Sequence, residues 1–263
     1  MTQRKPTADA GTSGTEWFQD WFDDDYLALY QHRDSTEART FLRHLRTQVG
    51  DPDALGVVDL ACGAGRHSEI LAGEFGWRVT GLDLSMPLLR RAVANQSVAK
   101  RTGPRYVRGD LRNLPFADGT FPLALNVFTS FGYFGDDDEH RQALGEMYRV
   151  LRPGGTLVLD LMNPTVAVAS LVAEDETDTE RWHVHQRRRY VAASKRIEKT
   201  IDLTARDGSA RQVRESVRLF GPDELDEMLK ATRLNPVARW GGYEASTFDP
   251  ETSKRLITFA ERA

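Results

Sequence analysis

Apolar residues follow two alternating patterns along the first 160 residues of the chain. Short, mostly apolar segments with the length of buried strands occur at 57–60, 78–82, 106–108, 123–128 and 156–161. Between them, as in 38–49 and 136–151, apolar residues recur every three or four positions, which predicts amphipathic helices. Strands that alternate with helices favour an α/β fold, in which helices cover both faces of a doubly wound, mostly parallel sheet.

A second pattern begins after residue 180, where polar and apolar residues alternate with a period of two. The alternating segments are 181–191, 194–204 and 210–220. Asp207-Gly208, between the last two segments, is a strong signal for a β-hairpin. We therefore predict a three-stranded antiparallel sheet within residues 166–220, inserted as a lid into an α/β domain made of 16–165 and 221–263.

The composition is that of a globular protein, since 40% of the 263 residues are hydrophobic and 28% are charged. The single cysteine, Cys62, excludes a disulfide framework and a cysteine-rich zinc site within the chain. No apolar run approaches the roughly 18 residues that a membrane span needs. Residues 1–15 are polar and lack the apolar core of a signal peptide. We therefore predict a disordered arm at 1–15, no membrane partner and a cytoplasmic location.

Positive charge is concentrated in the predicted inserted sheet. Residues 181–220 contain 11 Lys or Arg against four Asp or Glu, although the net charge of the whole chain is −4. Three interpretations are open: an ordinary solvated surface, a lid over a small substrate, and a nucleic-acid surface. An anionic substrate would suit the basic lid. The negative total charge and the sparse aromatic residues of this segment make a nucleic-acid partner unfavoured.

Residues with distinctive chemistry occur where the predicted strands end. Gly63 and Gly65 follow the first strand, and glycine lets a chain turn tightly and approach a ligand closely. Asp83 ends the second strand and Asp110 the third, and their carboxylates suit the ribose hydroxyls and the adenine amino group of an adenosine. A dinucleotide fingerprint would require a third glycine at position 68, where the chain has Ser68, so a nicotinamide dehydrogenase is disfavoured.

These residues belong to five motifs that together resemble the class I S-adenosylmethionine-dependent methyltransferases, in particular a branch that acts on small molecules. The motifs lie at 59–67, 81–85, 109–111, 128–134 and 149–157. The resemblance implies a Rossmann-like, mostly parallel seven-stranded sheet that includes one antiparallel strand. It also implies S-adenosylmethionine as cofactor, S-adenosylhomocysteine as product, and in-line methyl transfer to an N, O or C atom of a small molecule.

The same resemblance assigns residues to the cofactor. Those at or near the strand ends are Ala61, Gly63, Asp83, Leu84, Met86, Asp110, Leu111 and Asn126. An aromatic-rich helical segment at 16–33 is expected to fold over the site, which makes Tyr26, Tyr30 and Arg33 further contacts. Ordinary core packing of this amphipathic segment is the alternative interpretation.

The candidates for catalysis are Tyr133, in the fourth motif, and His183 of the inserted sheet. We expect His140 to be exposed to solvent, and we predict no metal site because the pair His183 and His185 lacks an identifiable third ligand. Two alternatives to a small-molecule enzyme remain: an RNA or protein methyltransferase that uses 181–220, and a non-catalytic S-adenosylmethionine-binding protein. A monomer or a homodimer is expected.

Overall fold

The computed structural model describes residues 16–30, 35–52, 56–96 and 103–263. The predicted disordered arm at 1–15 and the predicted cofactor contact Arg33 lie outside the described residues.

The described residues form eleven strands in two sheets. The strands are β1 (Val57–Leu60), β2 (Val79–Asp83), β3 (Arg105–Arg108), β4 (Phe121–Asn126), β5 (Leu151–Met162), β6 (Glu174–Asp178), β7 (Trp182–Val191), β8 (Arg196–Ala205), β9 (Ala210–Arg218), β10 (Leu234–Trp240) and β11 (Arg255–Arg262). Seven of them make a central sheet in the order β10-β11-β5-β4-β1-β2-β3. Within it β11 runs antiparallel to both neighbours and every other pairing is parallel. The predicted seven-stranded, mostly parallel sheet is confirmed.

Helices cover both faces of the central sheet. They are α1 (Trp17–Trp21), α2 (Asp24–Leu29), α3 (Ser35–Val49), α4 (Arg66–Phe75), α5 (Met86–Asn95), α6 (Asp137–Val150), α7 (Pro164–Ala169) and α8 (Pro222–Ala231). One buried cluster joins α6 and α8 to one face of the sheet, and a second joins α3 and α4 to the other. Two-sided burial explains why β1 is buried at all four positions, three of which are apolar.

The inserted sheet, β6 to β9, has four antiparallel strands rather than the three predicted. The additional strand is the acidic segment β6, whose composition alone does not favour a strand. Its side chains pair with basic residues of β7: Asp175 lies 3.0 Å from Arg188, and Asp178 lies 2.8 Å from His183. This edge strand is held by its backbone pairing with β7 together with these charge pairs, and the local pattern reveals neither.

The inserted sheet packs against the N-terminal helices. Its apolar side chains Trp182, Val184, Ile201, Leu203 and Val213 form a buried cluster with Trp21 and Leu29. At the edge of this contact, the guanidinium of Arg211 donates hydrogen bonds to Asp23 at 2.6 Å and to Asp25 at 2.9 Å. The sheet therefore forms an outer layer over α1 and α2.

Candidate functional site

A cavity of about 240 Å³ opens at the carboxyl ends of the central strands and beneath α1 and α2. The residues that line it are Phe18, Phe22, Tyr26, Leu27, Tyr30, Ala61, Cys62, Gly63, Ala64, Arg66, His67, Leu82, Asp83, Leu84, Leu88, Gly109, Asp110, Leu111, Val127, Phe128, Ser130, Tyr133 and Phe134. Strand β1 pairs with both β2 and β4, so the order of strands reverses beside the cavity. Ligands of doubly wound sheets bind at such a switch point.

The glycine turn between β1 and α4 has three residues with left-handed backbone: Ala61 and Gly63, both at φ 58°, and Gly65 at φ 79°. The two glycines meet different surroundings. A Cβ atom on Gly65 would lie 2.2 Å from the hydroxyl oxygen of Tyr106. Among the described residues, a Cβ atom on Gly63 would meet only Leu88, at 3.9 Å. Gly65 is therefore required by packing, whereas Gly63 leaves space at the wall of the cavity.

Asp83 presents a carboxylate that the backbone holds in place. One oxygen accepts a hydrogen bond from the N–H of Gly63 and the other from the N–H of Ser85, both at 2.8 Å. Burial raises the pKa of Asp83, although these backbone donors act in the opposite direction. A carboxylate oxygen accepts more than one hydrogen bond. Asp83 can therefore receive two hydroxyl donors from a ligand without changing its orientation.

Asp110 lines the same cavity and is paired with Arg112. The guanidinium of Arg112 lies 2.6 Å from Asp110, and it also contacts Glu16 at 2.6 Å and Glu139 at 2.5 Å. Burial alone would raise the pKa of Asp110, but the hydrogen bonds from Arg112 outweigh it and lower that pKa. Arg112 thus links this carboxylate to the start of the N-terminal helical segment.

The N-terminal helices close the cavity from above with aromatic side chains. Phe22, Tyr26 and Tyr30 all line it. The segment is attached to the cavity rim by a hydrogen bond of 2.5 Å from the hydroxyl of Ser85 to the carbonyl of Phe22. The ammonium of Lys199, on the inserted sheet, donates to the hydroxyl of Tyr30 at 2.6 Å. The predicted cofactor contacts Tyr26 and Tyr30 therefore lie at the cavity.

Three predicted site residues are not where the sequence analysis expected them. The described lining does not include Met86, at the start of α5, or Asn126. The amide of Asn126 is fully buried and donates to the carbonyl of Leu60 at 3.0 Å, so it bridges β4 and β1. His183 is about half exposed on the inserted sheet, where it pairs with Asp178 away from the cavity. This position gives no basis for a catalytic role of His183.

Tyr133 lies in the cavity wall, as its catalytic assignment requires. Its ring is 4.8 Å from the ring of Trp17 and 5.8 Å from that of Phe22. The expected exposure of His140 is wrong, because this side chain is completely buried among the rings of Phe131, Phe134 and Phe220. These aromatic neighbours belong to separate segments, so the charged helix turn around His140 does not reveal its burial.

Burial of His140 should make the free energy of unfolding depend on pH. Its pKa falls from 6.5 to about 4, chiefly by desolvation. The unfolded chain therefore binds the proton first, so this contribution to stability is complete above about pH 6.5 and is lost toward pH 4. Between pH 7 and pH 5 we expect this group to remove about 2 kcal/mol. The variant His140→Leu should therefore lose about 2 kcal/mol less stability than the wild type over that interval. Urea unfolding at the two pH values measures the difference.

The matched control for this measurement is His44→Leu, because His44 is exposed on α3. We expect its variant to follow the wild-type pH dependence. Identical losses of stability in the wild type and in His140→Leu would contradict the burial of a neutral imidazole.

The cavity lining also contains residues that were not predicted from the sequence, among them Arg66, His67 and Phe128. Arg66 and His67 directly follow Gly65 and form the first turn of α4, so their position beside the glycine turn could have indicated them. Burial lowers the pKa of His67 to about 3, which keeps its imidazole neutral. Phe128 begins the fourth motif, but its place at the cavity was not indicated, because its left-handed backbone, at φ 69°, is rare for a bulky residue.

The basic side chains of the inserted sheet are largely paired with acids. Arg187 lies 2.7 Å from Asp202, and Arg189 lies 2.6 Å from Glu198. These pairs reduce the positive potential that a polyanion would require. Among the described residues, no three His, Cys, Asp or Glu side chains are grouped to hold a metal ion. Within the same ranges, no helix has the length and apolar character to cross a bilayer.

Comparison with known proteins adds sequence relatives. Residues 57–155 match a family model described as a methyltransferase domain. A demethylmenaquinone methyltransferase from Lactiplantibacillus plantarum is 45% identical over 107 residues, which are 39% of this chain and 43% of that protein. The match thus spans less than half of this relative's length.

Solved structures share the fold over most of the chain. The CcbJ methyltransferase from Streptomyces caelestis has a TM-score of 0.72 and 22% identity, over 88% of this chain and 95% of that one. CalS10 from Micromonospora echinaspora, an amino pentose methyltransferase with S-adenosylmethionine bound, has a TM-score of 0.65 and 23% identity, over 91% and 97%. The structural likenesses show the fold, and the family model shows that residues 57–155 form a methyltransferase domain. Together these findings support a class I S-adenosylmethionine-dependent methyltransferase.

Proposed function

We propose that this protein transfers a methyl group from S-adenosylmethionine to a small molecule. The observation that carries the proposal is the carboxylate of Asp83, fixed by the N–H groups of Gly63 and Ser85 beside an open cavity. This acid and the glycine turn are close in space, as the hydrogen bond from the N–H of Gly63 shows. A ligand with a vicinal diol, such as ribose, fits two preoriented carboxylate oxygens.

The described residues fit the cofactor in a second respect. The space at the Cβ position of Gly63 would let a ligand approach the backbone closely, and Asp110 supplies an acceptor at the neighbouring strand end. We propose that Ala61, Leu84 and Leu111, which line the cavity, pack against the adenosine. The assignments of Met86 and Asn126 are not retained as direct contacts, because neither lines the described cavity.

When bound, S-adenosylmethionine supplies a methyl group on a positively charged sulfur, already activated for displacement. The residues of this chain need to align the acceptor with that methyl group and exclude water. Phe18, Phe22 and Tyr26 would exclude water, since they cover the cavity with aromatic surface. Tyr133 would contact the acceptor, and its hydroxyl could orient the acceptor atom by a hydrogen bond. A proton released by the acceptor would require a separate base. An amine acceptor requires less help from such a base than a hydroxyl group.

A small acceptor is favoured over RNA or a protein because α1, α2 and the inserted sheet cover the cavity in two layers. We propose that residues 166–220 serve as the outer part of this cover, with 16–165 and 221–263 as the cofactor-binding domain. No residue of 174–218, all of which are described, lines the cavity itself. An anionic substrate, a cytoplasmic location and a monomeric or homodimeric state remain predictions.

Incubation with methyl-labelled S-adenosylmethionine and a cell extract, afterwards separated into metabolite, RNA and protein fractions, tests the proposal. We expect label to enter a metabolite fraction with the wild type, and to be reduced to background with Asp83→Ala. The control is Asp118→Ala, which removes a largely exposed carboxylate paired with Arg149. Label in RNA or protein fractions would favour the macromolecular alternative. Cofactor binding without any transfer would favour a non-catalytic binding protein.

A further inference from the structure

Two consecutive residues after β4, Phe128 and Thr129, have left-handed backbone at φ 69° and φ 63°. This conformation is unfavourable for any residue other than glycine, and especially so for bulky or β-branched ones. Such backbone strain persists only where the surroundings fix it, and it is concentrated at functional sites. The turn borders the cavity, because Phe128 and Ser130, the residues on either side of Thr129, line the wall.

Asp160 of β5 accepts both backbone N–H groups of this turn. Its carboxylate accepts from the N–H of Phe128 at 2.8 Å, and its carbonyl oxygen accepts from the N–H of Thr129 at 2.9 Å. Asp160 is completely buried. The two donors therefore gain hydrogen bonds in the left-handed conformation that compensate for its strain.

Residues from the C-terminal part of the chain hold Asp160 in turn. The guanidinium of Arg255, at the start of β11, donates to the carboxylate of Asp160 and to the hydroxyl of Thr129, each at 2.7 Å. The hydroxyl of Tyr243 donates to the same carboxylate at 2.9 Å. The ring of Tyr243 is also stacked on that of Phe128, with 10° between the ring planes. We call Asp160, Arg255 and Tyr243 the turn clamp.

The turn clamp determines where the ring of Phe128 lies. Arg66, in the first turn of α4, has its guanidinium carbon 4.8 Å from the centre of that ring. Phe128 follows β4, which lies on one side of β1. Asp83 ends β2 and Asp110 follows β3, and these two strands lie on the other side of β1. The ring therefore forms the wall of the cavity away from the two acids.

We propose that Asp160 and Arg255 are positioning residues, which hold Phe128 and Thr129 in the left-handed conformation required for tight cofactor binding. This inference rests on the proposed function, because the ligand is the cofactor of that same site. A merely structural role of the turn clamp would change the stability of the fold and leave the affinity of the cavity unchanged.

Two substitutions at one position separate these roles, with S-adenosylhomocysteine as the calorimetric probe. Thr129→Val and Thr129→Gly both remove the hydroxyl that Arg255 contacts, but only glycine adopts the left-handed conformation without strain. We expect Thr129→Val to weaken binding by about tenfold or more, since the backbone preference that opposes the turn is of that size. Thr129→Gly should bind within about threefold of the wild type.

The clamp itself is tested by Arg255→Lys, which keeps the charge beside Asp160 but cannot reproduce the two-sided contact. We expect weaker binding, partly restored when Thr129→Gly is added. Tyr243→Phe is a milder second variant in case Arg255→Lys fails to fold. The control is Asn163→Ala, which removes buried hydrogen bonds to the carbonyls of Pro250 and Ser253 but touches neither turn residue. It should lose stability and keep its affinity.

The outcomes distinguish a positioning role of the turn clamp from a merely structural one. Equal affinities of Thr129→Val and Thr129→Gly, or wild-type affinity in a folded Arg255→Lys, would overturn the positioning role while leaving the proposed function intact. A wild-type protein that does not bind S-adenosylhomocysteine would instead remove the proposed function, and this inference with it.

Discussion

Asp83→Ala is expected to lower the affinity for S-adenosylmethionine by about 100-fold or more. The substitution removes two acceptors for ribose hydroxyls, and hydrogen bonds to a charged group contribute about 1.5–3 kcal/mol each. The N–H groups of Gly63 and Ser85 would also lose the carboxylate that now accepts from them. We expect this second effect to reduce stability by about 1–2 kcal/mol, which leaves the protein folded. Calorimetric titration and urea unfolding measure the two effects separately.

Asp118→Ala is the matched control for affinity, because its carboxylate is 77% exposed and pairs with Arg149 outside the cavity. It should bind the cofactor as the wild type does. If Asp83→Ala retained wild-type affinity, the ribose assignment would have to be abandoned.

Alanine should affect mainly stability at Gly65 and mainly cofactor affinity at Gly63. In Gly65→Ala the new methyl group would lie 2.2 Å from the hydroxyl oxygen of Tyr106. Tyr106 has little room to move, because a Cβ on Gly81 would already meet its ring at 2.7 Å. Backbone strain and overpacking together predict a loss of about 3 kcal/mol in stability. Urea unfolding measures this loss.

In Gly63→Ala the methyl group would meet only Leu88, at 3.9 Å, within the part of the chain that the structure describes. We expect a smaller loss of stability, about 1 kcal/mol from the left-handed backbone. Because Gly63 lines the cavity, the methyl group should reduce cofactor affinity by about tenfold or more.

Tyr106→Phe provides a check on the cause of the Gly65 effect. Combined with Gly65→Ala, it removes the oxygen atom that is closest to the new methyl group, so part of the lost stability should return. An unaltered stability of the single Gly65→Ala variant would show that the turn tolerates a side chain and that our account of this glycine is wrong.

The features predicted correctly from the sequence are those encoded locally. The apolar run at 78–82 corresponds to β2 at Val79–Asp83, and the glycine turn directly follows β1. Asp83 and Asp110 could be placed at one edge of the sheet, where both line the cavity, because a parallel sheet brings successive strand ends together. These inferences require only the periodicity of apolar residues and the spacing of the motifs.

The features that were missed depend on contacts between distant segments. The acidic run at Glu174–Asp178 forms a strand through its antiparallel pairing with β7, whose basic residues lie beside it. His140 is buried by aromatic rings that the chain brings from outside its helix, such as Phe220. The turn clamp joins residue 128 to residues 160, 243 and 255, and no local pattern reports such a combination. Asn126 donates to the carbonyl of Leu60 on the adjacent strand and is absent from the described cavity lining.

A crystal structure of the protein with S-adenosylhomocysteine tests the central claim most directly. We expect both ribose hydroxyls to lie within hydrogen-bond distance of the Asp83 carboxylate. The adenine should lie near Asp110 and the sulfur on the side of Phe128. A complex in which the ligand lies elsewhere, or in which the carboxylate of Asp83 faces away from the ribose, would contradict it.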